Sequence, residues 1–354
     1  MKGKTTGHGN EEIRKKMNRR AFTKSLLGSG MAYGIGAQSN MKKPTYLKSG
    51  DQVGLICPAG PISDERLVRS INNLLNLGLK PIPGNYILNQ NGYLSGTRTE
   101  RLADLHQMYR DEQIRAVWCI RGGFGCTHLL PHLDYDLVQR SNKLLLGYSD
   151  VTALHCGLYT RLKISNLHSP VASSEFTPYT LEQLQKIIFG MPGQVIRIGA
   201  SPENDQLFNE GNTVYERYVI REGIGRGVLW GGNLSLLSAL CGTPYLKINR
   251  DFLLFVEDID EAPYRIDRML TQLMQVLPLH RLKGVVLGVF EGCEKKANTP
   301  SQSLKEVMLD RFSDFDVPVM YGFPFGHIKN QCTLPFGAEA VMDTGSFQLT
   351  VKLP

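Results

Sequence analysis

Four short segments carry side chains whose types and spacing suit acyl transfer. Gly147-Tyr148-Ser149-Asp150 follows the apolar run Lys143–Leu146 and precedes the helical run Val151–Leu162. Ser149 then occupies a strand-to-helix turn, which lifts a hydroxyl out of a sheet and toward backbone N–H groups that stabilise an oxyanion. Val151 breaks the GxSxG pattern, and the same residues serve equally as an N-cap, with Ser149 or Asp150 satisfying the first N–H groups of the helix. Arg121-Gly122-Gly123-Phe124-Gly125 lies directly after the apolar run Ala116–Ile120. Glycines at the carboxyl end of a strand let N–H groups approach a ligand, or simply make a tight turn. The run lacks both GxGxxG spacing and a phosphate-binding lysine, which argues against a nucleotide site.

A serine nucleophile needs a base, and the base needs an orienting carboxylate. Of eight histidines, His8 lies in the N-terminal arm, His106 and His280 belong to amphipathic helices or their edges, and His155 and His168 read as packing residues. His128 and His132, with Asp134 and Asp136, imitate a metal cluster, but Pro131 interrupts their helix and no HExxH glutamate is present. No metal or cofactor is therefore expected. His327 stands apart, in the constrained loop Phe323-Pro324-Phe325-Gly326-His327 beyond a predicted strand Val317–Tyr321. Glu257-Asp258-Ile259-Asp260-Glu261 follows the predicted strand Phe252–Val256. Four acids there make a solvated turn, a cation site or an orienting carboxylate, for which Glu257, the first beyond the strand, is best placed.

The elements that must position these residues read as an α/β fold. Strands are predicted at Asp51–Cys57, Ala116–Ile120, Lys143–Leu146 and Ile164–Leu167, with helices at Asp64–Leu77, Thr99–Tyr109, Val151–Leu162 and Leu181–Phe189. This is a doubly wound first domain. A polar stretch over 202–212 breaks the periodicity and marks a boundary. Beyond it, strands at Phe252–Val256 and Gly284–Phe290, helices at Ala262–Val276 and Leu304–Phe312, and short late strands suggest a smaller α/β domain.

Composition narrows the partners. The chain has 354 residues and a formal charge of +7, from 40 Lys and Arg against 33 Asp and Glu. Residues 1–40 hold eight basic and two acidic residues, and the rest is nearly balanced, 32 against 31. The excess belongs to the arm, so a nucleic-acid partner is not expected. Within that arm, Asn18-Arg19-Arg20-Ala21-Phe22-Thr23-Lys24 and a weakly apolar run ending near Ala37-Gln38-Ser39 look like a twin-arginine export signal. A disordered basic tail, which leaves the chain cytoplasmic, is the other reading, and a start at Met17 begins a more typical signal. The seven cysteines are odd in number, lack a CxxC pair and lie mostly in apolar strings, as buried thiols do. No apolar stretch approaches the roughly 18 residues of a membrane span.

Taken together, these segments resemble the LD-carboxypeptidase family of serine peptidases, which includes murein tetrapeptide carboxypeptidases and microcin C self-immunity proteins. The matching residues are Cys57-Pro58-Ala59-Gly60, the RGGFG run 121–125, the GYSD run 147–150, Gly231-Gly232-Asn233-Leu234, the segment 256–270, and PFGH at 324–327 with Thr333-Leu334-Pro335-Phe336-Gly337 behind it. The resemblance implies Ser149 as nucleophile, His327 as general base and acid, and Glu257 as its orienting carboxylate. It implies an oxyanion hole from backbone N–H groups of the loop around Gly122 and Gly123, and of Asp150. A flavodoxin-like N-terminal domain over 48–195, a smaller swivelling β/α C-terminal domain over 210–354, and a homodimer are implied as well. The implied reaction releases terminal D-Ala from a murein tetrapeptide. Arg121 is a candidate partner for the substrate carboxylate or a structural residue, and Asn233 either binds the peptide or belongs to a turn. Two other readings remain: an immunity-type amidase acting on a peptidyl-nucleotide conjugate, with Trp118 and Trp230 the only tryptophans for stacking, and an exported two-lobed solute-binding protein.

Overall fold

Strands alternating with amphipathic helices in the first half stack side by side in parallel. In the computed structural model, which describes residues 45–296 and 298–354, β1 (Gln52–Ile56), β2 (Lys80–Pro83), β3 (Ile114–Cys119), β4 (Leu144–Gly147) and β5 (Asn166–His168) lie in the order β5-β4-β3-β1-β2. All these pairs are parallel, and the order is that of flavodoxin-like folds, with its reversal between β1 and β3. The central strands β1, β3 and β4 are nearly continuous apolar runs, as burial on both faces requires. Helices Asp64–Asn76, Arg98–Arg110, Tyr135–Ser141 and Thr152–Leu162 connect them. The second of these opens with a capping box between Thr97 and Glu100.

The second sheet has eight strands, two more than the first. Its centre is parallel, formed by β8 (Ile224–Asn233), β9 (Phe252–Glu257), β10 (Leu282–Leu287) and β11 (Val319–Tyr321). Antiparallel strands flank it: β7 (Tyr218–Arg221) on β11, and β13 (Glu339–Asp343), β14 (Gln348–Lys352) and β6 (Val195–Ile198) beyond β8. Helices Leu234–Ala239, Pro263–Val276 and Leu304–Phe312 cover it.

Strands are exchanged between the halves. β6 precedes the polar stretch 202–212 yet joins the second sheet, while β12 (Leu334–Phe336), late in the chain, pairs antiparallel with β5 in the first. Phe336 carries this exchange into the core: its ring packs on Tyr159, Phe255 and Trp230, and one continuous apolar cluster spans both sheets. The polar stretch is itself largely helical, over Pro202–Asn209, because Ser201 accepts from Asn204 N–H as N-cap and Pro202 fits the first turn. All seven cysteines are free thiols, and six are buried. No helix among the described residues is long and apolar enough to cross a membrane. The arm 1–40, with its expected export signal, lies outside the described residues.

Candidate active site

Every chemistry-bearing loop predicted above leaves the carboxyl end of a strand. After β4 the chain turns through Ser149, whose φ of 63° puts a non-glycine residue in the left-handed region. It then enters a single 3-10 turn, Ser149–Val151, and the helix Thr152–Leu162. Such a conformation costs on the order of 1–2 kcal/mol and persists only where the surroundings enforce it. Here His155, buried in the first turns of that helix, donates from Nε2 to Gly147 O at 2.9 Å, and Ser169 N–H donates to the same carbonyl at 3.2 Å. The N-cap alternative for Ser149 and Asp150 does not hold. Neither caps the helix: Asp150 accepts from Cys126 N–H at 2.8 Å, and Ser149 Oγ meets an imidazole.

That imidazole is His327. Its Nε2 lies 3.0 Å from Ser149 Oγ and its Nδ1 2.7 Å from Glu257 Oε2. An ionised carboxylate only accepts, so Nδ1 carries the proton and Nε2 is free to accept from the serine hydroxyl. The loop reaches this position because Gly326, with φ of 125°, passes where a side chain does not fit. A Cβ there would lie 2.6 Å from Val289 O and 3.3 Å from Glu257 Cβ. Tyr148 flanks the imidazole, with ring centroids 4.8 Å apart. Glu257 is the last residue of β9 and wholly buried. Burial alone raises its pKa, but the charge and hydrogen bond of His327 reverse this and leave it below the ordinary carboxylate value. Burial likewise lowers His327, and Glu257, helped by Asp258 and Asp260, outweighs it, so the imidazole titrates above its ordinary value.

The RGGFG loop after β3 lies against Ser149. A Cβ on Gly122 would stand 2.9 Å from Ser149 Cβ and 3.4 Å from Asp150 N. Gly123, with φ of 125°, is exposed beside it. Arg101, which sequence reasoning left inside an ordinary helix, holds this loop from behind. It is buried and donates from Nη1 to Pro58 O at 2.6 Å and to Gly125 O at 3.0 Å, clamping the loops after β1 and β3 together. Replacing Gly122 by alanine should push the loop off Ser149 and lower kcat about 10²- to 10³-fold, the size expected for loss of one oxyanion donor if the loop supplies it. The melting temperature should move by only a few degrees. Steady-state kinetics beside a thermal melt check both.

Asn233, expected as a peptide contact or a turn residue, is the end of β8 and N-cap of the helix Leu234–Ala239. It is buried, its Oδ1 accepts from Leu236 N–H at 3.2 Å and its Nδ2 donates to Asp258 Oδ1 at 2.9 Å. It positions the end of β9, which it faces in register at Glu257. Asp258 also accepts from the N–H and hydroxyl of Ser235 and from Ile259 N–H. Burial, and then Glu257, push it up to about 6. The acidic run is therefore divided: Glu257 faces the histidine and Asp258 braces the strand end.

With this geometry described, comparison with known proteins decides the family. The LD-carboxypeptidase N-terminal domain matches residues 53–169 and its C-terminal domain residues 226–342. The chain belongs to the LD-carboxypeptidase family. This LD-carboxypeptidase is 36% identical to the "Probable murein peptide carboxypeptidase" of Bacillus subtilis, over 85% of this chain and 92% of that protein. Its fold is similar to that of a muramoyltetrapeptide carboxypeptidase from Oxalobacter formigenes, at 26% identity and a TM-score of 0.73, covering 85% of this chain and 98% of the other. An MccF-like protein from Bacillus anthracis matches with a TM-score of 0.77 at 26% identity, covering 89% and 100%. The LD-carboxypeptidase is thus a serine-type peptidase on a two-sheet α/β fold.

Proposed function

We propose that this enzyme hydrolyses the L,D-peptide bond of a murein tetrapeptide and releases its terminal D-Ala through an acyl-enzyme on Ser149. The observation that carries this is the relay from Ser149 Oγ through His327 to Glu257, at 3.0 and 2.7 Å. His327 takes the hydroxyl proton as Ser149 attacks the carbonyl of the L-centre, and Glu257 stabilises the imidazolium. The N–H groups of Gly123 and Asp150 receive the oxyanion. His327 then gives its proton to the departing amine of D-Ala. In the second half it takes a proton from water, which attacks the ester, and returns it to Ser149 as the peptide acid leaves.

The 36%-identical murein peptide carboxypeptidase of Bacillus subtilis supports a murein peptide over a peptidyl-nucleotide conjugate, and so do the tryptophans. Trp118 and Trp230 are both wholly buried, so neither offers a face to a nucleobase. A solute-binding protein has no need of a strained serine aligned on a buried His–Glu pair. The test is incubation with murein tetrapeptide and chromatography of the products. Tripeptide and D-Ala in equal amounts are expected, and no D-Ala from any L,D-peptide would sink the proposal.

A further inference from the structure

His168 reads as a packing residue from the sequence, yet it is wholly buried and neither ring nitrogen has a hydrogen-bond partner among the described residues. It ends β5, facing Gly147 of β4 on one side and Leu334 of β12 on the other. Its ring meets three aromatic rings, Tyr148 at 5.9 Å between centroids, Phe255 at 5.3 Å and Phe325 at 5.9 Å. Each of these stands one or two residues before a member of the relay: Ser149, Glu257 and His327. The imidazole thus touches all three chain segments that must stay aligned for the proton to pass.

A purely apolar side chain would fill this place at no polar cost, whereas a buried polar group without partners costs on the order of 1–3 kcal/mol. Burial pushes the His168 pKa down to about 4, against the pull of Glu257, so the ring is neutral and carries one N–H donor and one acceptor. An acceptor that lacks a donor is close by. Phe255 and Glu257 are alternate residues of β9 and project from the same face of the strand. The carboxylate therefore lies one step along from a ring that His168 touches. Glu257 Oε2 is taken by His327, while Oε1 is buried and without a partner. The titratable groups around His168 are Tyr148 from the turn after β4, Glu257 from β9, His327 from the loop before β12, and His155 from the helix Thr152–Leu162. Of these only Glu257 is an anion.

We propose that His168 is a positioning residue of the relay, its ring N–H holding the second oxygen of Glu257 through a bound water and so fixing the carboxylate that steadies His327. Buried polar atoms left over by the fold are where proteins keep internal water, and such a bridge is nearly as favourable as a direct hydrogen bond. Its catalytic consequence, though not the placement, rests on the peptidase reading above. Without the donor, Glu257 has His327 as its main partner and holds the protonated imidazole more tightly. The midpoint of His327 then rises, opposite to the effect of removing the carboxylate.

NMR titration of His327, its resonance identified by its loss in His327→Gln, tests this without substrate. His168→Phe and His168→Leu fill the space with no donor, and each is expected to raise the midpoint by about half a pH unit or more. Each should also lower kcat for D-Ala release about tenfold with KM within about twofold. His168→Gln keeps an N–H and should restore part of both. A midpoint unmoved in a folded apolar variant overturns the assignment and leaves His168 as packing. Crystallography of the unaltered enzyme reads the bridge without any variant: a water within reach of both His168 and Glu257 Oε1 is expected, and a dry gap between them would refute it. D-Ala release is measured alongside. Its absence from the unaltered enzyme, with the donor-dependent shift intact, removes the peptidase reading and leaves the bridge to Glu257 standing.

Discussion

Replacing Ser149 by alanine is expected to lower kcat/KM for D-Ala release by about 10⁴-fold or more, while the protein stays folded and still binds the peptide. The size follows from the role of the hydroxyl. On the proposed mechanism, loss of Oγ removes the acyl-enzyme and leaves His327 nothing to deprotonate, so that only the proposed oxyanion donors and substrate positioning remain, which retain a modest part of the acceleration. The fold should hardly notice, because Ser149 Oγ bonds to His327 and caps no helix. The left-handed backbone at φ 63° is held by its neighbours and is about as costly for alanine as for serine. A coupled assay for free D-Ala, with a thermal melt on the same samples, checks both halves. Activity within tenfold of the unaltered enzyme would rule Ser149 out as the nucleophile.

Glu257→Gln should be nearly as severe, about 10³- to 10⁴-fold in kcat, since the amide lets the imidazole take the wrong tautomer and leaves its charged form unsupported. The more diagnostic result is in the pH profile. The proposed mechanism needs neutral His327, and its pKa is raised, so activity of the unaltered enzyme should climb with pH through a midpoint above the ordinary histidine value of 6.5. Removing the carboxylate removes the main upward influence and leaves burial, so that limb should move to lower pH in Glu257→Gln. Stability gives the opposite view of the same pair. The contribution of His327 is full below its unfolded value and fades as pH rises through its raised folded one. That of Glu257 is full above its unfolded value and fades as pH falls through its depressed one. The variant should therefore lose most stability between about pH 4.5 and 6.5, the two ordinary values, on the order of 3 kcal/mol for breaking a buried pair. Chemical denaturation at pH 5.5 and pH 9 would test it, and an equal loss at both would contradict the ion-pair account.

The chemistry was easier to read from the residues than the architecture around it. Ser149, His327 and the RGGFG run stand in loops marked by glycine and proline just beyond apolar strands, a local pattern that survives without any knowledge of the partner strands. Arg101 carries no such mark: its place behind the oxyanion loop depends on two carbonyls 43 and 24 residues away. β6 and β12 are only four and three residues long, and which sheet they join is decided by edge pairing across the whole chain, which periodicity does not record. The helix Pro202–Asn209 was legible in principle from Ser201-Pro202-Glu203, but its few apolar residues let polarity pass for a loop.

The exchanged strand β12 bears on when the enzyme can first become active. His327 lies on the segment that leaves the second sheet at β11 and enters the first at β12, so the base is tethered at both ends to different sheets. Its correct placement requires that Leu334–Phe336 has already zipped onto β5, a pairing between residues more than 160 positions apart and hence among the slower events of assembly. A nascent or truncated chain that stops short of Phe336 would hold the proposed nucleophile and oxyanion donors but no anchored base. On the proposed mechanism, hydrolysis would then wait until the two sheets have closed on each other.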